Sequence, residues 1–123
     1  MVEPVNILIV KPDKLGDFIL ATPALRKLNE LAPDNWRITL AVGPEAGELA
    51  TRLPLSAQWQ VEVGTRAGKR LRFETGQLHW YDRGMLLRYD ADYYNAAEIV
   101  AEHCKESVTW SREVTPTKLE RNP

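Results

Sequence analysis

A single cysteine, Cys104, among 123 residues excludes an internal disulfide and fits a reducing compartment. Histidine is scarce too. His79 and His103 are the only two, and neither is spaced with Cys104 as a metal site requires, so no metal is expected. No apolar run approaches the roughly 20 residues of a transmembrane helix. The opening MVEPVN lacks the basic region and apolar core of a secretory signal, and the expected location is cytoplasmic. Charge of one sign is lacking as well. Lysine and arginine number 16 against 17 acids, a formal net charge of −1, which gives no reason to expect nucleic acid or an anionic membrane as a partner. Glycine-rich phosphate loops are absent: the Lys11–Gly16 loop fits neither G-x-G-x-x-G nor G-x-x-x-x-G-K-[ST], and no cofactor is expected.

What is present is an ordinary globular composition, 44% hydrophobic and 27% charged, at a length suited to one domain. Ile7–Val10 is a continuous apolar run, as for a strand covered on both faces. Lys11-Pro12-Asp13-Lys14-Leu15-Gly16 breaks it with turn chemistry. Ala21, Ala24, Leu25, Leu28 and Ala32 then mark one face of a helix. Pro23 leaves two readings of its start: Thr22 caps a helix with Pro23 first, or the helix begins at Asp17 and bends at Pro23. Arg37–Val42 is a second apolar strand. Ala46, Leu49, Ala50 and Leu53 predict a short helix stopped by Pro54, and Gln58–Val63 alternates as a third strand with one wet face. A loop is expected over Gly64–Arg83, carrying the basic cluster Arg66, Lys69, Arg70 and Arg72. A fourth strand is expected at Met85–Tyr89. Asp92 is expected to cap a helix with Tyr93, Ala96, Ala97, Val100 and Cys104 on its apolar face, and Ser107–Trp110 to start a fifth strand. The polar tail after it shows no closing element. Alternating strands and helices predict an α/β fold: a Rossmann-like parallel sheet with crossover helices, Ile7–Val10 central and Arg37–Val42 beside it.

The residues with chemical potential cluster at the first strand-to-helix turn. Lys11 and Lys14 could hold phosphate or carboxylate oxygens, or simply form a solvated turn. Gly16 lets a ligand approach the backbone. Asp17 reads either as a helix cap or as a catalytic carboxylate. The dipole that favours an anion there also makes it a weaker base, so a catalytic Asp17 works through positioning. The basic cluster is read as an anion contact or a solvated loop, diluted by Glu62 and Glu74. Cys104 is read as a buried structural thiol. Asp90 and Asp92 are explained by a strand-end turn and a cap.

ILIVKPDKLGDFILATPALRKLNELAPDNWRITLAVGPEAGELATRLP resembles the N-terminus of glycosyltransferase family 9, the heptosyltransferases of lipopolysaccharide synthesis and their relatives. The resemblance lies in the strand, the basic residue, the loop ending in Gly-Asp, the TPAL helix and the ITL-x-VGP strand-turn. LLRYDADYYNAAEIVAEHCKESVTWSREVTPTKLERN is similar to a second family segment, although His103-Cys104-Lys105-Glu106 replaces its usual small-residue turn. The resemblance implies that the chain is the incomplete N-terminal half of a GT-B fold, a partial acceptor-side domain over residues 1–123 whose donor-binding C-terminal domain is absent. It implies a glycan or glycolipid acceptor beside Lys11, Lys14 and Gly16, and Asp17 as the base of an inverting transfer without a required metal. A nucleotide-sugar donor is implied only where a second domain or chain is supplied, and the chain alone is expected to be inactive. Peripheral association with the inner membrane is compatible with this reading. The alternatives are a non-catalytic binding or assembly module, and a small α/β protein that binds a phosphorylated metabolite.

Overall fold

Strand β1 (Val5–Lys11) forms because Ile7 to Val10 can be buried on both sides, and all four are at most 5% exposed. The computed structural model describes residues 2–12, 14–87 and 93–109. Helix α1 (Leu15–Leu31) follows, then β2 (Trp36–Val42), a 3-10 turn (Pro44–Ala46), the short α2 (Gly47–Thr51) and β3 (Trp59–Val63). A small hairpin, β4 (Thr65–Ala67) with β5 (Arg70–Arg72), precedes β6 (Tyr81–Leu86), α3 (Ala96–His103) and β7 (Cys104–Thr109).

The five long strands make one sheet in the order β3-β2-β1-β6-β7, every neighbouring pair parallel. The expected parallel α/β sheet, with β1 central and β2 beside it, is therefore present. Strand alternation divides the core in two. Ile7, Ile9, Ile38, Leu40 and Val42 pack with Phe18 and Leu25 of α1 and with Ala46 and Ala50. Leu8, Val10 and Ala41 pack on the other face with Leu71 of the hairpin, Tyr93, and Ala96, Ile99 and Val100 of α3. Among the described residues no helix is long and apolar enough to cross a membrane.

The structure settles the first helix. It starts before Asp17 and runs through Pro23. Pro23 cannot donate to the carbonyl of Ile19 four residues back, and the Thr22 hydroxyl donates to that oxygen instead, at 2.8 Å. Thr22 is thus not an N-cap; it serves an acceptor that the proline leaves open. The buried anchors are Phe18 and Leu25, whereas Ala24 of the expected face is exposed.

Other boundaries move for local reasons. The expected loop over Gly64–Arg83 contains the β4–β5 hairpin, whose Gly68 takes the positive φ of 61° that a tight two-residue turn requires. The fourth strand begins at Tyr81, four residues before Met85. Gly84 acts there as a strand residue: a Cβ on it would press on the Cys104 sulfur and lie 2.8 Å from Val100 Cγ1. The other end of that expected strand, Arg88–Tyr89, lies outside the described residues, as do Asp90, Asp92, Trp110 and the polar tail. The residue flanking α3 is Asn95, and Ile99 rather than the exposed Ala97 completes its buried face. Cys104 is not helical but opens β7.

Candidate functional site at the C-terminal strand ends

β1 sits where the connections diverge. The chain leaving β1 passes through α1 on one face of the sheet, and the chain leaving β6 reaches α3 on the other. The crevice at the ends of such adjacent strands is where open parallel sheets receive ligands.

Lys11 closes β1 at this point and is 7% exposed. Its Nζ reaches the carbonyl oxygen of Leu87 at 3.4 Å, just past the end of β6. It is therefore not the solvated turn residue that composition allowed. Lys14 is exposed and occupies the N-cap position of α1 without a side-chain cap bond. The first intrahelical bond runs from Phe18 N–H to Lys14 O. Gly16 and Asp17 lie in the first turn, both exposed. Asp17 is the third helical residue, so the N-cap reading is corrected: Lys14 takes that position, and the Asp17 charge lies in the first turn, where the helix end favours an anion. A Cβ on Gly16 would meet nothing within 4 Å, and the space above that backbone is open. The four predicted site residues thus fall on one strand-to-helix turn, which joins two lysines, the Asp17 carboxylate and helix-end N–H groups, donors and acceptors suited to a polar, hydroxylated ligand.

A second group at the same end of the sheet has no counterpart in sequence spacing. Glu45, after β2, accepts hydrogen bonds from the Tyr93 hydroxyl at 2.7 and 2.8 Å and from Arg66 Nη1 at 2.6 Å. The Arg66 guanidinium lies 5.2 Å from the centroid of the Tyr93 ring. Burial opposes the charged form of Glu45, but the bonds from Tyr93, its own backbone and Arg66 outweigh it and hold the carboxyl below its ordinary 4.5. Burial, then the bond to Glu45, pushes the Tyr93 hydroxyl up to about 12. The only sequence signal is positional: each of the three follows a strand of the parallel sheet on the way to the next crossover.

Two members of the basic cluster are thereby accounted for differently than Glu62 and Glu74 suggested. Arg66 is paired with Glu45, and Arg70 lies 3.6 Å from Glu98 and stacks over Tyr94. His103 Nδ1 contacts the His79 carbonyl oxygen at 2.9 Å, and among the described residues no three His, Cys, Asp or Glu side chains group as metal ligands. Cys104 is buried, and burial pushes its thiol up to about 11, which makes it a packing residue at neutral pH. Compared with protein-family models, with curated proteins and with solved structures, the chain finds no match in any of the three.

Proposed function

We propose that the chain is the acceptor-side Rossmann-like portion of an inverting glycosyltransferase of the family 9 type. In this reading it builds a bacterial surface glycan at the cytoplasmic face of the inner membrane. The observation that carries the reading is the convergence of Lys11, Lys14, Gly16 and Asp17 on one turn at the end of the central strand. Lys11 and Lys14 hold anionic oxygens of a lipopolysaccharide-type acceptor. Gly16 leaves its backbone accessible, and Asp17 takes the proton of the attacking hydroxyl. A nucleotide-sugar donor is held by a second domain or chain, and this polypeptide is inactive without it.

The test has two arms. Titrated with a deacylated, phosphorylated core oligosaccharide, the chain is expected to show amide shifts at residues 11–18 and none with ADP. With a donor domain supplied, Asp17→Asn should lower turnover by about 10²–10⁴-fold while leaving acceptor affinity intact. Near-normal turnover in a folded Asn variant, or tight ADP binding by the chain alone, sinks the assignment. The buried Lys11 beside open helix-end backbone also favours a second reading, a stand-alone domain that binds a phosphorylated metabolite. Saturable binding of a simple sugar phosphate at residues 11–18, with no response to the oligosaccharide, selects it.

A further inference from the structure

The opposite end of the sheet carries a polar cleft that the proposed function does not use. Parallel strands are ordinarily apolar on both faces, because helices cover both. On the face shared with α3, β1 and β2 obey this only in their C-terminal halves, with Leu8, Val10 and Ala41 in the core. In the other half the same face carries Asn6 beside Arg37, and Thr39 beside Gln60, as the strand registers place them. These four side chains border a cleft of about 410 Å³, closed on its far side by His79 and Tyr81.

Two features mark the cleft as more than a wet edge. Thr39 is 8% exposed; its hydroxyl makes no hydrogen bond to a described residue and is not enclosed, so it remains open to solvent. A hydroxyl that bonds only to water can exchange that water for a ligand oxygen at little cost. Arg37 is exposed and makes no ion pair with any described carboxylate, unlike Arg52, Arg66, Arg70 and Arg83. No aspartate or glutamate lines the cleft. Its polar lining is the Arg37 guanidinium, the hydroxyls of Thr39 and Tyr81, the carboxamides of Asn6, Gln58 and Gln60, and His79, and its volume is in the range of small-molecule sites.

We infer that this cleft binds a small hydroxylated organic anion, with the guanidinium of Arg37 on its carboxylate or phosphate and Thr39, Asn6 and Gln60 on its hydroxyl groups. An arginine fork matches either oxyanion, and the carboxamides and hydroxyl serve neutral polar oxygens. The site is independent of the Lys11–Asp17 turn, since the two lie at opposite ends of β1.

Amide-shift titration of the full chain tests this with three probes: gluconate, glucose 6-phosphate and glucose. Saturable shifts at Asn6, Arg37, Thr39, Gln60 and His79 are expected with at least one anion and not with glucose. Whichever anion binds identifies the oxyanion as carboxylate or phosphate. Arg37→Gln, at an exposed position, should weaken that binding about tenfold or more, and Thr39→Val, close in volume, should weaken it severalfold. Arg52→Gln, at an exposed arginine away from the cleft, should leave it unchanged. The inference is overturned by no shift at these residues with either anion, by shifts confined to residues 11–18, or by undiminished binding in a folded Arg37→Gln variant.

Discussion

Removing one oxygen at Tyr93 should destabilise the fold in a pH-dependent way that identifies its partner. Tyr93→Phe keeps the ring, which is 3% exposed and packed with Leu8, Val10 and α3. It deletes the hydroxyl that donates to both oxygens of Glu45. A hydrogen bond to a charged acceptor contributes about 1.5–3 kcal/mol. The lower end applies, because Glu45 keeps Arg66 at 2.6 Å, a pair whose arginine side chain is 41% exposed and therefore adds about 1 kcal/mol at most. The expected loss is about 1.5–2 kcal/mol at neutral pH, or about 5–10 °C in Tm for a domain of this size. The pH dependence follows from the two shifts. The folded pKa of Glu45 is depressed, so its contribution is present above 4.5 and disappears as pH falls through the lower folded value. The folded pKa of Tyr93 is raised, so its contribution is complete below 10.0 and disappears as pH rises toward about 12. The gap between wild type and Tyr93→Phe should therefore be flat from about pH 5 to 9 and close on both sides. Urea melts across that range measure it. A variant as stable as wild type at pH 7, or a gap that persists undiminished at pH 3, would refute the role given to this bond.

Asn95 is 5% exposed, and its carboxamide bonds both the N–H and the C=O of Leu71 at 2.8 Å. Asn95→Leu should cost about 3 kcal/mol by chemical denaturation, since it strands two buried backbone groups. Gly84→Ala should cost about 2–3 kcal/mol, because its methyl group would enter the space held by Cys104 and Val100; the double variant with Cys104→Ala should recover part of that loss. Cys104 should resist iodoacetamide at pH 8 in the native protein and react in denaturant, as its buried thiol remains protonated there. Asp17→Ala should lower stability by about 0.3–1 kcal/mol, the value of an acid in a first helical turn, as measured by chemical denaturation.

The sheet was legible where burial is two-sided. Ile7–Val10 announces itself because nothing polar interrupts it, Arg37–Val42 because its apolar residues outweigh Arg37 and Thr39, and their parallel pairing follows from the helix between. Gly16 and Asp17 were legible as a turn opening a helix. What failed was punctuation whose meaning depends on distant contacts. Gly84 reads as a breaker in isolation, and only the approach of Cys104 and Val100 makes it a strand residue. Pro23 leaves two helix starts open until the Thr22 hydroxyl is seen to serve Ile19. The β4–β5 strands have three residues each, too short for an alternating pattern. The Glu45–Tyr93–Arg66 group could not be found by spacing, because its members meet across 48 and 21 residues of chain.

The central position of β1 has a consequence for how the chain is made. Its two neighbours arrive at very different times during synthesis. β2 follows after one helix, but the partner on its other side is residues 83–86, and the bond from Asn6 N–H to Asp82 spans 76 positions. A ribosome adding about 5–20 residues per second leaves that flank open for several seconds after β1 and β2 have emerged. For that interval the most apolar strand of the protein is an edge, able to pair with another nascent copy. The step that ends the hazard is the docking of β6, so substitutions that slow it, Gly84→Ala among them, are expected to lower soluble yield in cells by more than their equilibrium cost.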